Sequence, residues 1–330
     1  MEINNIKYIY KRMTILTRPE LHDYLVNLRP ASAPKTIQGK VSALFVLYRV
    51  KHGDSLTIDT DWFKNYDEVI EAVNTKSDAS RSSYLNAVAF LNNQERLPKG
   101  QMLDDPVHRE LREANKKNQD QAESGEMSKK QKDNWVPYNK VVELWNRLFD
   151  ESKELFAKPE LKKMDIRDLN EFMALTLTCG VFFPPRRSEW VEVKIKDYDP
   201  ETDNYLDMAH NRFVINKHKE VRIYGKQTVD FPEEFRDILL KYIERTKMRK
   251  EMTEAQQVYL ITNGEGGKLT ESSLSNMLNR VFGKKISTTM LRHIYKSYQY
   301  EMMPSLKQMR SDAEKMGHGL IVSLQYAKKM

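Results

Sequence analysis

Two arginines, a histidine and a tyrosine stand in an order that can do chemistry on a phosphodiester. Arg186 lies in the stretch from Gly180 to Trp190, Arg292 in Leu291-Arg292-His293, His318 in Met316-Gly317-His318, and Tyr326 eight residues further on. Arginine suits the charge around phosphorus, because its planar fork donates to two phosphate oxygens and stays protonated. A phenol oxygen can attack phosphorus and keep the bond as an ester, so rejoining needs no nucleotide. Lysine or histidine suits protonation of the departing oxygen. No metal and no cofactor is called for.

The local spacing says how each group is presented. Arg186 and Glu189 are three residues apart, which predicts one helical face on which the carboxylate orients the guanidinium, with Arg187 as the adjacent competitor. Pro184 and Pro185 restrict the entrance to that helix. In the later segment Leu291 and Ile294 can face a core, leaving Arg292 and Lys296 on a polar side. His293, the next position, points about 100° away from Arg292. Gly317 permits a close approach before His318. Between these segments the run from Lys217 to Lys226 holds four cations in ten residues. Lys217, nearest a strand end, is the candidate proton donor and Lys219 its nearest rival.

The elements that must position these residues follow from periodicity. Ile37, Val41, Leu44 and Tyr48 form an amphipathic face after a Ser32-to-Thr36 cap region, and further helices are predicted over 62–73 and 80–91. Lys35, Lys40, Arg49, Lys51 and Arg81 around this bundle are read as a phosphate-facing surface, against the ordinary alternative of a solvated face. Residues 112–133 are almost wholly polar; they can extend the preceding helix at first, but Gly125 and the lack of a sustained apolar face predict an exposed connection. The expected domains are therefore 1–111, a linker over 112–136, and 137–330; two lobes so joined can close around a duplex. In the last of these, helices are predicted over 137–155, 166–179, 233–244, 271–282, 289–300 and 305–315, with strands over 205–215 and 227–231. The fold class is mainly α with a small antiparallel β-sheet.

Composition sets the outer limits. The 330 residues carry a net charge of +7, which favours a polyanionic partner without indicating a disordered basic tail. The single cysteine, Cys179, lies in an apolar stretch as a small buried thiol, so no disulfide framework or structural zinc site can be built within the chain. There is no apolar leader at the start and no apolar run of spanning length, which predicts an intracellular protein with no membrane partner. No glycine-rich nucleotide loop or internal repeat is present.

Taken together, these segments resemble the tyrosine recombinase and integrase family, whose members cut and rejoin DNA through a covalent 3'-phosphotyrosyl intermediate. Gly180 to Glu189 looks like a lengthened first box, which puts the family's first arginine on Arg186. Thr289 to His293 keeps the second box's Arg292 and His293, with threonine at position 289 where the family has histidine or lysine. Met316 to His318 with Tyr326 matches the third box with one residue fewer before the tyrosine. The resemblance implies a helical core-binding domain followed by a recombinase catalytic domain. In it Arg186, Arg292 and His318 stabilise charge, Lys217 protonates the leaving group, and Tyr326 attacks. It further implies double-stranded DNA as partner, with a homotetramer on two DNA sites and a monomer when free, in the cytoplasm or nucleus. A viral or mobile-element source fits the departures from the boxes. Only four residues follow Tyr326, which leaves no room for the C-terminal helix that many family members exchange unless the chain continues further. Two alternatives stay open: strand relaxation of the type IB topoisomerase kind, and a catalytically silent DNA-binding protein with the same fold.

Overall fold

The computed structural model describes residues 15–92, 104–248, 253, 258–263, 266–301, 304–316 and 319–321. The chain divides into two compact units, Met1–Glu126 together with Pro304–Met330, and Met127–Met303.

The first unit begins with β1 (Ile15–Thr17), which pairs antiparallel with β2 (Thr57–Asp59) and sets Leu16 opposite Ile58 in the core. Between them run α1 (Arg18–Leu28) and α2 (Pro34–His52). The start of α1 is fixed by the Thr17 backbone N–H, which donates to the Glu20 carboxylate at 2.8 Å. Helix α2 buries Ile37, Val41, Leu44, Phe45 and Leu47, the face its periodicity announced. The helix expected over 62–73 is split. A 3-10 turn, Thr60–Lys64, is capped by Asp59, and Asn65, with ψ 83°, breaks the run before α3 (Tyr66–Asn74). Helix α4 (Asp78–Asn92) packs on α2 and on α5 (Pro106–Ser124). Residues 112–124, expected as an exposed connection, are thus the continuation of a helix. Asp105 caps it, Pro106 starts it, and Val107 and Ala114 bury a narrow stripe that suffices when the remaining residues are good helix formers.

The second unit opens with α6 (Lys129–Asn134), α7 (Tyr138–Ala157) and α8 (Lys163–Thr178). From Phe172 to Thr178 every side chain of α8 is buried, which makes it the central helix of the unit. After a 3-10 turn at Ser188–Glu192 come β3 (Val193–Lys194), β4 (Asn204–Asp207), β5 (Arg212–Ile215), the single turn α9 (Val221–Tyr224) and β6 (Gln227–Asp230). Strands β4, β5 and β6 form an antiparallel meander, with Tyr205 opposite Val214 and Phe213 opposite Val229. Two-residue β3 adds to β4 in parallel, so one edge of the otherwise antiparallel sheet is mixed. The unit closes with α10 (Glu233–Lys247), α11 (Glu271–Phe282) and α12 (Thr288–Gln299).

The chain then returns to the first unit. Helix α13 (Leu306–Lys315), capped by the Ser305 hydroxyl, packs on α5, where Ala313 is fully buried and Arg310 pairs with Glu123 at 2.5 Å.

The sheet is locked to the helices by an aromatic cluster. Fully buried Phe213 stands 5.1 Å from the Trp190 ring, 5.2 Å from Phe231 and 6.0 Å from Phe235. Phe213→Ala should destabilise the second unit by about 3–5 kcal/mol, read as a lower urea midpoint in tryptophan fluorescence; a shift below about 1 kcal/mol would show that the cluster does not hold the sheet.

Candidate active site

The segment carrying Arg186 is shaped by Gly180 and its neighbours. At the end of α8, Gly180 takes φ +92°, and a Cβ there would stand 2.6 Å from Cδ2 of Tyr295 on α12. Only glycine lets that ring cross the backbone so closely. Phe182 and Phe183 then anchor the chain, their rings 5.4 Å from Trp145 and Trp190 respectively. Pro184 and Pro185 follow, and the expected helix through Arg186 does not form. The segment is irregular until the 3-10 turn at Ser188, because two consecutive prolines remove backbone donors and hold the preceding residues extended. Arg186 is therefore delivered by a stiff connection, not by a helical face.

The Arg186 guanidinium donates to Gln227 Oε1 at 2.8 Å and lies 3.8 Å from Glu189 Oε1. Its Nε and the Glu189 Oε2 are buried without a hydrogen-bond partner among the described residues. Leaving such groups unsatisfied costs about 1–3 kcal/mol each. Burial lowers the Arg186 pKa from its ordinary value, Glu189 opposes that shift, and the positive charge of Arg292 adds to it. The two arginines of the separate sequence segments are thus electrostatic neighbours.

Arg292 sits on α12, whose start is capped by the Ser287 hydroxyl accepting from the Met290 backbone N–H at 3.3 Å. Thr288, Met290, Leu291 and Ile294 are buried, so Thr289, Arg292, His293 and Lys296 lie on the outer side. With Pro184, Pro185 and Tyr295 they line an open cleft of about 290 Å3. His293, expected to point away, shares this cleft, whose width accommodates the turn between successive positions. Lys296 is held by neutral partners, Gln299 Oε1 at 3.1 Å and the Tyr300 ring. Arg292 makes no hydrogen bond or ion pair with any described residue. Cations thus outnumber carboxylates at this site, and the exposed Thr289 adds a hydroxyl beside the positive end of α12.

Lys217 is differently engaged. Its ammonium pairs with Asp203 Oδ1 at 2.8 Å, while Lys194 holds the other oxygen of Asp203 at 2.7 Å. Hydrogen bonds from Lys194 and then Lys217 hold the Asp203 carboxyl well below the usual carboxylate range. Buried Asn204 fixes the Lys217 backbone: its Oδ1 accepts from the Lys217 N–H at 2.6 Å and its Nδ2 donates to the Lys217 carbonyl at 2.9 Å. The same Nδ2 reaches the Glu189 carbonyl at 3.4 Å, which links the lysine loop to the Arg186 segment. Lys219 is exposed, with no partner among the described residues. His318 and Tyr326 lie outside the described residues. Gln227, Asn204 and Tyr295 carry no chemistry in the sequence reading, and their supporting contacts arise only from pairing and packing.

The five cations of the first unit do not make one face. On α2, Lys35 and Arg49 share one side, and Lys40 and Lys51 another roughly 140–180° away. Lys40 donates to Asn86 at 2.5 Å, Lys51 pairs with Glu71 at 2.5 Å, and Arg81 pairs with Glu110 at 2.8 Å. Arg49 donates to the Ser55 carbonyl at 3.2 Å and lies 3.8 Å from Asp54. Much of their charge is met within the unit.

No family model matches this sequence, and no curated protein matches it. Among solved structures the chain is similar to one described as the crystal structure of XerA recombinase, at 16% identity over 95% of this chain and 94% of that one, with a TM-score of 0.31. Among the described residues no helix is long and apolar enough to cross a membrane, and no cluster of histidine, cysteine and carboxylate side chains could hold a metal ion.

The Gly180 contact generates a measurable outcome. Gly180→Ala should cost about 2 kcal/mol or more, from left-handed strain and overlap with the Tyr295 ring. Adding Tyr295→Ala should relieve the overlap but not the strain, a non-additive pair in urea unfolding; strictly additive losses would show that the two residues do not share this contact.

Proposed function

We propose that this chain is a DNA strand-cleaving and rejoining enzyme of the tyrosine recombinase kind. The supporting observation is that Arg186, partly desolvated, feels the positive charge of Arg292, which lines the cleft and has no counter-ion among the described residues. Holding like charges together is unfavourable unless an anion is to be bound, and a phosphate flanked by two guanidinium groups is stabilised most as its charge rearranges.

In this reading duplex DNA places its scissile phosphate at the cleft. The Tyr326 hydroxyl gives up its proton to solvent as its oxygen attacks phosphorus, forming a 3'-phosphotyrosyl bond as the bond to the 5' oxygen breaks. Lys217, exchanging Asp203 for the departing oxygen, delivers a proton to it; Lys219 stands next in the same loop. Arg186, Arg292 and His318 hold the phosphate oxygens, while Thr289 and His293 supply further donors. Attack by a partner strand's 5'-hydroxyl reverses the step and returns the proton, so no nucleotide is consumed. Exchange between duplexes requires four such sites, and hence four copies on two DNA sites. The protein acts inside the cell, where its DNA is.

One observation favours a second reading. The ion pair to Asp203 occupies the ammonium that the leaving group needs, as it would in a DNA-binding protein that no longer cleaves. Suicide duplexes nicked near the cleavage position, followed by denaturing electrophoresis and peptide mapping, separate the two. A covalent adduct mapping to Tyr326 supports cleavage, and firm binding without any adduct supports the silent protein.

Tyr326→Phe should bind DNA as the parent does and form no adduct; an unchanged adduct yield would move the nucleophile elsewhere. Arg186→Ala and Arg292→Ala should each lower the cleavage rate about 10²–10³-fold, while reducing duplex affinity by less than about tenfold at moderate salt. A fall in cleavage merely proportional to occupancy would make the arginines anchors for the backbone alone.

A further inference from the structure

The loop between β5 and β6 has a tip whose apolar side chains the chemistry above does not use. Its one helical turn exposes Val221, Ile223 and Tyr224, at 37%, 71% and 66% of their full surface. Turn tips are ordinarily built from small polar residues, since apolar side chains there gain nothing from folding. This tip is also firmly made. The Gly225 N–H donates to the Val221 carbonyl at 2.8 Å, the His218 ring nitrogen meets the Gly225 carbonyl at 2.8 Å, and Gly225 takes φ +63° to close the turn. Asn204 fixes the base of the loop at Lys217.

The charges around the tip identify what it meets. Lys219, Arg222 and Lys226 are exposed, and none has a partner among the described residues. The only carboxylate in residues 216–226 is Glu220, and Arg187 pairs with it at 3.6 Å. Exposed aliphatic and aromatic side chains at the end of a rigid turn, ringed by uncompensated cations, suit a surface with apolar faces stacked between anions. A second copy of the same tip would bring cation against cation. A nucleic-acid duplex offers stacked bases between rows of phosphates.

We infer that the 218–226 tip is a wedge: Ile223 and Tyr224 insert at a base step of duplex DNA while Lys219, Arg222 and Lys226 hold the flanking phosphates. The inference rests on the DNA reading above and adds the deformation of the duplex to it. Partial unstacking costs free energy, so a step already weakened by a mismatch binds more tightly than a paired one. The wedge thereby sets a preference for deformable steps without hydrogen bonds to base edges.

The experiment uses the full chain and two fluorescein-labelled duplexes of identical length, one fully paired and one with a central two-base mismatch, titrated by anisotropy across a salt series. The parent should prefer the mismatched duplex by roughly tenfold. The Ile223→Ala/Tyr224→Ala variant should bind both duplexes equally with an unchanged salt slope. The Lys219→Ala/Arg222→Ala/Lys226→Ala variant should keep the preference and lose up to about three units of slope. Unchanged thermal unfolding of these surface variants confirms that each is folded. A parent that binds DNA but does not discriminate overturns the wedge and leaves the DNA reading standing, as does an Ile223/Tyr224 variant that still discriminates. A parent that binds neither duplex overturns both. Loss of self-association in the apolar variant, seen by sedimentation without DNA, overturns the wedge by assigning the tip to a second copy.

Discussion

The backbone of Gly180 passes under the ring of Tyr295, and this contact ties the Arg186 segment to the helix that carries Arg292. It decides how near two guanidinium groups stand. Their like charges repel, which adds to the lowering of the Arg186 pKa. Burial of Leu291 and Ile294 beneath the same helix is worth about 1.5–3 kcal/mol for each side chain, so α12 can hold the repelling pair without coming away from the core. Fold stability is thus committed to keeping positive charge concentrated beside the cleft.

The small sheet serves the same end from the other side. Gln227, the first residue of β6, accepts from Arg186, and Asn204, the first residue of β4, clasps both ends of the Lys217 peptide and the Glu189 carbonyl. Antiparallel pairing brings these strand ends together although they are far apart in the chain. The phenylalanine cluster around Phe213 keeps the sheet in register with the helices, so a repacked core would reach Arg186 and Lys217 through these two amide side chains.

Periodic elements were legible in the sequence because their faces repeat. The inward side of α2, the Leu291 and Ile294 side of α12 and the two strands flanking the basic loop all stand where alternation or helical spacing put them. The helix through Arg186 was misread because proline suits both a helix entrance and an extended segment, and the aromatic anchors at Phe182 and Phe183 selected the second. Residues 112–124 looked like a connection because their apolar stripe is narrow, yet the Asp105 cap and strong intrinsic propensity carry the helix through. The cation types were plain, but their pairing was not. Lys51 finds Glu71, Arg81 finds Glu110 and Lys217 finds Asp203 only once the chain is folded. Charge counted along a sequence therefore does not tell which cations fold against a carboxylate and which stay unpaired.

Helix α13 packs against α5, although the whole of the Met127–Met303 unit is translated between them. The earlier helices must wait for a piece made on the order of 180 residues later. At synthesis rates of about 5–20 residues per second the gap lasts on the order of ten to thirty seconds, during which the α5 surface on which α13 packs is uncovered on the ribosome. A nascent chain of this topology depends on chaperones most while its second half is being made, and a message broken late would release a product whose first half never closes.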